Sequence, residues 1–319
     1  MKNSINLVDW EKLSKDEKFN FIENILKTKN LNFTIKGLET FEQNQVKLET
    51  FVLSYGEDEF VFIPGCDNVT LGWDVDKCNL GENVIKFFEE YYKEMLEYEK
   101  EVYEENKEYY EEEIEKAKKN NDEKKVNELI EDMKDELEYF EEKKIEADEY
   151  LNILYKNIKE NVSPLRTVNI GSMIVERDLS NKYFNKNQEI KFSLPTEDEY
   201  EYLCNGGTRT FFRWGDSLED ELTCMSCRGM ASNNYPDEYK EVLYIPNMFG
   251  LYIAYNSYIY EVLESPNNIV KGGDGGCSLC GGDGPIYFAP CYSAFYRESI
   301  VINNVVKNFC GYRRIIRLD

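Results

Sequence analysis

Apolar side chains recur every three or four residues along the middle of the chain, the spacing that places them on one face of an α-helix. In residues 81–119 they are Val84, Phe88, Tyr91, Met95, Tyr98, Val102 and Tyr109. After a polar break at Asn120 and Asn121 they continue as Val126, Ile130, Met133, Leu137, Phe140, Ala147, Leu151, Leu154 and Ile158. Two long helices with such stripes and a short turn between them predict an antiparallel coiled-coil hairpin in residues 81–162.

A shorter apolar stripe predicts a helix near the N-terminus. Ser14 and Glu17 have the spacing of a capping box, in which each residue satisfies a backbone N–H of the other. The stripe that follows consists of Phe19, Phe21, Ile22, Ile25 and Leu26. The stripe ends near Lys29 and Asn30. We expect a helical leader in residues 1–50, followed by a β-hairpin made from residues 50–54 and 59–64.

Residues 193–216 have the pattern of an extended segment, a capped helix and a turn. Thr196 is a candidate N-cap with Glu199 three residues later, and acidic residues fill the first turn, where the helix dipole favours them. Gly206 and Gly207 supply the positive-φ freedom of a C-cap.

The same segment resembles a known family. Its Leu-Pro-Thr-Glu, Gly-Gly and Trp-Gly motifs, within residues 194–215, are similar to the signature of the formylglycine-generating enzymes, also called sulfatase-modifying-factor domains. Further similar motifs occur in the family's order at residues 60–65, 71–74, 247–252, 270–273 and 311–313. The resemblance implies an α+β fold related to C-type lectins, formed by residues 51–80 and 163–319. It makes the hairpin of residues 81–162 an insertion.

Composition narrows the functional classes. The 319 residues carry a net charge of −24, which nucleic-acid phosphates and anionic lipids would repel. No apolar run of about twenty residues occurs, and the N-terminus lacks the apolar core of a signal peptide. We therefore expect a cytoplasmic protein with neither a nucleic-acid nor a membrane partner. The sequence contains no histidine, which excludes Ser-His and Cys-His nucleophiles and imidazole metal sites.

Two Cys-x-x-Cys pairs bordered by glycines suggest a metal site. The four thiolates of Cys224, Cys227, Cys277 and Cys280 would close a tetrahedral zinc site if the fold brought both pairs together. In a reducing compartment the nine cysteines are better interpreted as metal ligands, reactive thiols or core residues than as disulfides. Separate thiols in the core or loops, or a redox role for one pair, remain open alternatives. Small buried core residues are expected at Cys66, Cys78, Cys204 and Cys310.

The family resemblance implies a competing use of the cysteines. Formylglycine-generating enzymes bind copper through two active-site cysteines and oxidise a cysteine of a protein substrate with oxygen. Cys277 lies at the matching distance after the Gly-Gly motif, whereas the second position is Gly282, so Cys280 or Cys291 would have to serve. The resemblance also implies calcium, for which Asn256 and Glu261 offer oxygen ligands.

The sequence therefore favours a non-catalytic member of this family that binds a ligand or a protein. A cysteine-bound zinc ion would stabilise it, and the hairpin of residues 81–162 would dock a partner protein. The alternative for the hairpin is a solvated strut without a partner. The shifted second cysteine and the loss of the family's tryptophans, replaced by Tyr258 and Tyr260, favour this interpretation. The alternative is a copper-dependent oxidase that acts on a cysteine of a protein substrate, with Cys277 and Cys291 as its catalytic pair.

Overall fold

The structure, a computed structural model, describes residues 4–180, 190–216, 218, 245–256, 258–275, 285–300 and 306–319. The chain forms two compact units. The first, here called the body, comprises Met1–Gly81 and Asn157–Asp319, and the second, here called the arm, comprises Glu82–Lys156. No helix in the described ranges is both long enough and apolar enough to cross a membrane.

Helices α1 (Leu7–Lys12) and α2 (Lys15–Thr28) open the chain. The predicted capping box is confirmed, because the Ser14 hydroxyl accepts a hydrogen bond from the Glu17 backbone and the Glu17 carboxylate accepts one from the Ser14 backbone. Of the predicted stripe, Ile22, Ile25 and Leu26 are buried, whereas Phe19 is exposed. The predicted end of this helix near Lys29 and Asn30 is confirmed, because α2 ends at Thr28. The proposed leader is not helical as far as residue 50, because a strand begins at Thr34.

The remaining secondary structure mixes strands with two very long and several short helices. The strands are β1 (Thr34–Gln43), β2 (Val46–Tyr55), β3 (Asp58–Ile63), β4 (Cys66–Leu71), β5 (Arg166–Ile170), β6 (Met173–Glu176), β7 (Tyr260–Val262), β8 (Ile269–Lys271), β9 (Glu298–Ser299), β10 (Cys310–Gly311) and β11 (Ile315–Arg317). The other helices are α3 (Glu82–Lys119), α4 (Glu123–Asn161), α5 (Glu197–Asn205) and α6 (Pro285–Phe288), with 3₁₀ turns at Ala289–Tyr292 and Val306–Phe309.

The strands of the body form three sheets. The largest has the order β1-β2-β3-β6-β11 and is antiparallel throughout, so the predicted hairpin of β2 and β3 is confirmed. Its central strands are apolar, and Phe60, Val61, Phe62 and Ile63 of β3 are all completely buried. The second sheet has the order β10-β7-β8-β9, and β4 pairs with β5. The expected α+β class is thus confirmed.

Helix α5 has the caps that the sequence predicts. The Thr196 hydroxyl accepts from the Glu199 backbone N–H at 3.2 Å, and the Thr196 N–H donates to the Glu199 carboxylate at 2.7 Å. Gly206 ends the helix in the left-handed conformation, at φ 60°. This short helix supplies several of the buried polar groups described below.

The arm is an antiparallel pair of helices, as the sequence predicts. Tyr92 stacks on Tyr150 with ring centroids 5.5 Å apart, and Tyr103 stacks on Phe140 at 5.2 Å. Residues later in α3 therefore contact residues earlier in α4, which makes the two helices antiparallel. The break between the helices lies at residues 120–122, where the asparagine pair was predicted to place it.

The side chains at the helix contact differ in part from the predicted stripe. Tyr98 and Tyr109 were predicted to face α4 but are exposed, as are Ile130 and Leu137. This part of the prediction is wrong. Adjacent aromatic residues, such as Tyr91 and Tyr92, offer two stripes about 100° apart on the same helix. Periodicity alone cannot choose between them.

Candidate functional site

The four cysteines predicted to bind zinc, Cys224, Cys227, Cys277 and Cys280, lie outside the described residues. Within the ranges that the structure describes, no group of three or more cysteine, aspartate or glutamate side chains is placed to hold a metal ion. The zinc site and the role of Cys277 in the alternative copper site remain predictions.

Cys291, the other candidate copper ligand, is completely buried in the 3₁₀ turn Ala289–Tyr292. Burial raises the pKa of its thiol well above the ordinary value, and the carboxylates of Asp274 and Glu298 raise it further. Since a nucleophilic or copper-binding cysteine acts as the thiolate, this environment favours the wrong protonation state. A metal ion bound here would first have to displace the thiol proton.

The second sheet assembles the groups around this thiol. Glu298 begins β9 opposite Val270 of β8, and Asp274 follows β8 by three residues. The Tyr260 hydroxyl, from β7, donates to the backbone carbonyl of Asp274 at 2.8 Å. We call Cys291, Asp274, Glu298 and Tyr260 the carboxylate–thiol cluster.

Within this cluster the pKa of Glu298 is also raised above its ordinary value. Burial raises the pKa of Glu298, Asp274 raises it further, and a hydrogen bond with Tyr260 opposes both effects. Gly275 adjoins the cluster at φ 69°, and a Cβ atom there would lie 2.8 Å from the Tyr260 ring. The close approach of this backbone to the tyrosine therefore requires glycine.

Glu261, predicted as a calcium ligand, forms a buried ion pair with Arg313. Both of its oxygens accept from that guanidinium, at 2.7 Å from Nε and 3.1 Å from Nη2. Arg313 also donates to the carbonyls of Glu176, Arg177 and Tyr252. A calcium ion at Glu261 would have to compete with this guanidinium for both oxygens.

Asn256, the second predicted calcium ligand, accepts a hydrogen bond from the Tyr258 backbone at 3.1 Å through its side-chain oxygen. This bond closes a local turn in the loop that precedes β7. The calcium site stays a prediction for both residues.

A second buried ion pair joins α5 to β8. Lys271 and Glu201 are both completely buried, with 3.0 Å between Nζ and Oε1. Lys271 also donates to the carbonyls of Ala294 and Phe295, at 3.1 and 3.3 Å. These bonds use all three ammonium hydrogens, so Lys271 has no donor left for a substrate.

Both carboxylate oxygens of Glu201 are likewise occupied by protein partners. It accepts from the Gly72 backbone at 2.9 Å and from the Ser163 hydroxyl, and Arg166 lies 3.2 Å away. Burial acts to raise the pKa of Glu201, but Lys271 and Arg166 outweigh it, and the pKa is lowered. The carboxylate therefore remains ionised and fixed.

Sequence reasoning did not identify Lys271, Glu201, Asp274 or Glu298. A signal for Lys271 was present, since a lysine between Val270 and Gly272 interrupts an otherwise apolar strand. Such a residue is buried only if a counter-charge meets it. Its counter-charges are Glu201 and Glu197 of α5, 3.0 and 3.3 Å from Nζ, and no local sequence pattern identifies them.

Tyr200 is a further buried polar residue on α5. It is completely buried, and its hydroxyl has no hydrogen-bond partner among the described residues. A Cβ atom at Gly272 would lie 2.9 Å from this hydroxyl. Tyr202, also on α5 and equally buried, contrasts with it because its hydroxyl donates to the Pro64 carbonyl at 3.0 Å.

The other cysteines have mixed environments. Cys204 is completely buried, as predicted, and burial raises the pKa of its thiol to about 12. Cys310 is also buried, whereas Cys66 and Cys78 are half-buried, contrary to the expectation of core residues. The Cys78 sulfur lies 3.6 Å from a guanidinium nitrogen of Arg209.

Comparisons of the chain with protein-family models, with curated proteins and with solved structures give no match.

Proposed function

We propose that the chain is a non-catalytic binding protein whose body has the fold of the formylglycine-generating enzymes. In this proposal a zinc ion held by Cys224, Cys227, Cys277 and Cys280 stabilises the body, and the arm docks a partner protein. The resemblance of the sequence motifs supports the finer fold assignment. The mixed α+β architecture is compatible with it.

The complete burial of Cys291 beside the carboxylates of Asp274 and Glu298 is the observation that carries the non-catalytic proposal. A copper-dependent oxidase would need two cysteines that readily become thiolates. Cys291 is buried, and nearby carboxylates oppose its ionisation. The Lys271–Glu201 and Arg313–Glu261 pairs are saturated by protein groups, so neither supplies a free acid or base. These features support a stable frame more than a reaction centre.

The exposed aromatic and aliphatic side chains of the arm support the docking role. Tyr98, Tyr109 and Ile145 are between 59% and 63% exposed. Large tyrosine side chains contribute apolar area and a hydrogen-bonding group together, which suits them to protein interfaces.

Oxygen consumption tests the non-catalytic proposal against the oxidase. The purified full chain is loaded in parallel with copper(I) or zinc and mixed with a cysteine-containing peptide and a thiol reductant. The proposal predicts the same oxygen uptake as a Cys277→Ser/Cys291→Ser variant treated in the same way. Uptake above that control, with mass loss at the peptide cysteine, would establish the oxidase instead.

A further inference from the structure

The arm has an aromatic face that α4 does not cover. Tyr98 and Tyr109 are 63% and 59% exposed. They are 11 residues apart on α3, which is three helical turns and about 16 Å along the axis. Tyr92 and Tyr103, which stack on α4, each precede an exposed tyrosine by six residues and so lie about 120° away around the helix.

Carboxylates border both exposed tyrosines. Each tyrosine has a glutamate four residues before it and another three residues after it, namely Glu94, Glu101, Glu105 and Glu112. At these spacings the side chains are neighbours on the helix surface. Glu112 lies 3.7 Å from Lys116, whereas the other three form no ion pair within the described part of the chain. We call the two tyrosines and these four glutamates the anionic tyrosine face.

Apart from Lys116, the lysines nearest these tyrosines in the sequence lie on the opposite side of α3. Lys100 is two residues after Tyr98, and Lys107 is two residues before Tyr109, which places both on the far side of the helix. There they neutralise other glutamates, Glu104 at 3.9 Å and Glu111 at 4.0 Å. Lysines therefore offset part of the negative charge on the far side of α3, while the anionic tyrosine face keeps most of its negative charge.

We propose that the anionic tyrosine face binds a basic amphipathic helix of a partner protein. Lysine or arginine side chains of that helix would pair with the glutamates and lie over the tyrosine rings, and its apolar residues would cover the exposed aromatic area. This inference rests on the proposed docking role of the arm and specifies the chemistry of the partner.

A second copy of the chain is a poor partner for the anionic tyrosine face, because it carries the same negative charge. Residues 82–156 contain 27 acidic and 13 basic residues, a net charge of −14. Two arms packed face to face would bring unpaired glutamates together, and such like-charge contacts oppose association. A basic partner gains from the same charge.

The test uses the full chain and two synthetic peptides of roughly 20 residues, long enough to span both tyrosines. In the first, leucines at three- and four-residue spacing form one helical face and lysines or arginines fill the rest. The second has the same composition in an order without an apolar face. The dissociation constant of each is measured by calorimetry at low and at moderate salt.

Tyrosine substitutions measure how much of the peptide binding depends on the two tyrosines of the anionic tyrosine face and how much on net charge alone. Tyr98→Ser with Tyr109→Ser is expected to weaken binding of the amphipathic peptide about tenfold or more, because interface aromatics dominate such contacts. Tyr139→Ser on α4, 47% exposed, is the matched control and should change binding less than about twofold. Circular dichroism checks that each variant keeps its helix content.

Glutamate substitutions give an independent measurement. Replacing Glu94, Glu101 and Glu105 together by glutamine should weaken binding and reduce its salt dependence, because exposed ion pairs are screened by salt. The same three changes at Glu90, Glu104 and Glu111, which are already paired with lysines, should have a smaller effect.

Three results would overturn the inference. One is equal affinity for the two peptides, and another is unchanged affinity in the double tyrosine variant. The third is a wild-type dimer, seen in sedimentation equilibrium, that the double tyrosine variant loses, because the occupant would then be a second copy. None of these results produces oxygen uptake, so failure of this inference is distinguishable from failure of the non-catalytic proposal.

Discussion

The body and the arm use ionic side chains in opposite ways. In the body, Lys271 meets Glu201 and Arg313 meets Glu261 at positions fully shielded from water. In the arm, pairs such as Lys86–Glu90 and Lys134–Glu138 are exposed and lie one turn apart on the same helix. Removing one partner of a buried pair leaves an unpaired charge in the interior, which lowers the free energy of unfolding strongly. Removing one partner of an exposed pair costs little, because water solvates the charge that remains.

This difference assigns different roles to the charges of the two units. Buried pairs fix the positions of α5, the second sheet and the C-terminal segment, and leave few groups free for chemistry. Exposed carboxylates in the arm contribute little to folding but remain available to a partner.

The largest effect is expected from Lys271→Met. It leaves Glu201 buried beside Arg166 alone, and removal of one partner from a buried pair costs about 3–5 kcal/mol of unfolding free energy. Denaturant unfolding measures the loss. Lys134→Met in the arm is the exposed counterpart and should leave the unfolding midpoint of the body unchanged.

The loss of unfolding free energy caused by Lys271→Met should depend on pH. The lowered pKa of Glu201 means that its contribution to stability is present above the ordinary value of 4.5 and is lost as the pH falls through the lowered pKa. The difference between wild type and variant should therefore narrow in acid. A loss no larger than that of Lys134→Met would contradict the contrast between the units.

A smaller effect is expected from Thr196→Ala at the start of α5. This change removes the N-cap of a nine-residue helix and should cost about 1 kcal/mol, while Thr196→Ser should retain most of the stability. The arm provides the comparison, because the Asp122 side chain accepts from the Lys125 backbone at 3.1 Å where α4 begins. Asp122→Ala should fray that end of the arm without changing unfolding of the body, measured by hydrogen exchange.

Tyr200→Phe is expected to leave stability unchanged or to raise it by up to about 1 kcal/mol. The substitution removes a buried hydroxyl that has no partner among the described residues. Tyr202→Phe is the matched control, because it breaks the bond to Pro64 and should cost about 1 kcal/mol. Equal losses in both variants, measured by thermal unfolding, would show that the Tyr200 hydroxyl is bonded in solution.

The smallest effect is a pH dependence at Glu298, since this side chain is only partly buried. Its raised pKa means that the folded state holds the proton more tightly, so its contribution is present below the ordinary value of 4.5 and is lost as the pH rises through the raised pKa. Glu298→Gln should therefore gain stability relative to wild type between pH 4 and pH 7. The exposed Glu39→Gln serves as control, and parallel curves for both variants would contradict the prediction.

Local sequence signals predicted local structure well. The capping residues Ser14 and Thr196 mark the starts of α2 and α5, and the polar break at Asn120 separates the long helices. Their physical causes act within one or two turns, so the sequence displays them directly. The strand at Thr34 was missed because the stretch after α2 was assigned to a helical leader.

Features that depend on distant residues were not predictable in this way. Adjacent tyrosines concealed which stripe of α3 contacts α4, and nothing local paired Lys271 with Glu201 or Arg313 with Glu261. The pKa of Cys291 likewise depends on carboxylates contributed by other strands. The sequence identified Cys291 as a candidate but could not supply its environment.

The metal content of the purified full chain tests the proposed stabilised, non-catalytic body most directly. Elemental analysis should find one zinc ion per chain in the wild type and none in a Cys224→Ser/Cys280→Ser variant, with a lower unfolding temperature in the variant. Copper instead of zinc, retained by that variant and lost on Cys291→Ser, would contradict the account and support the oxidase.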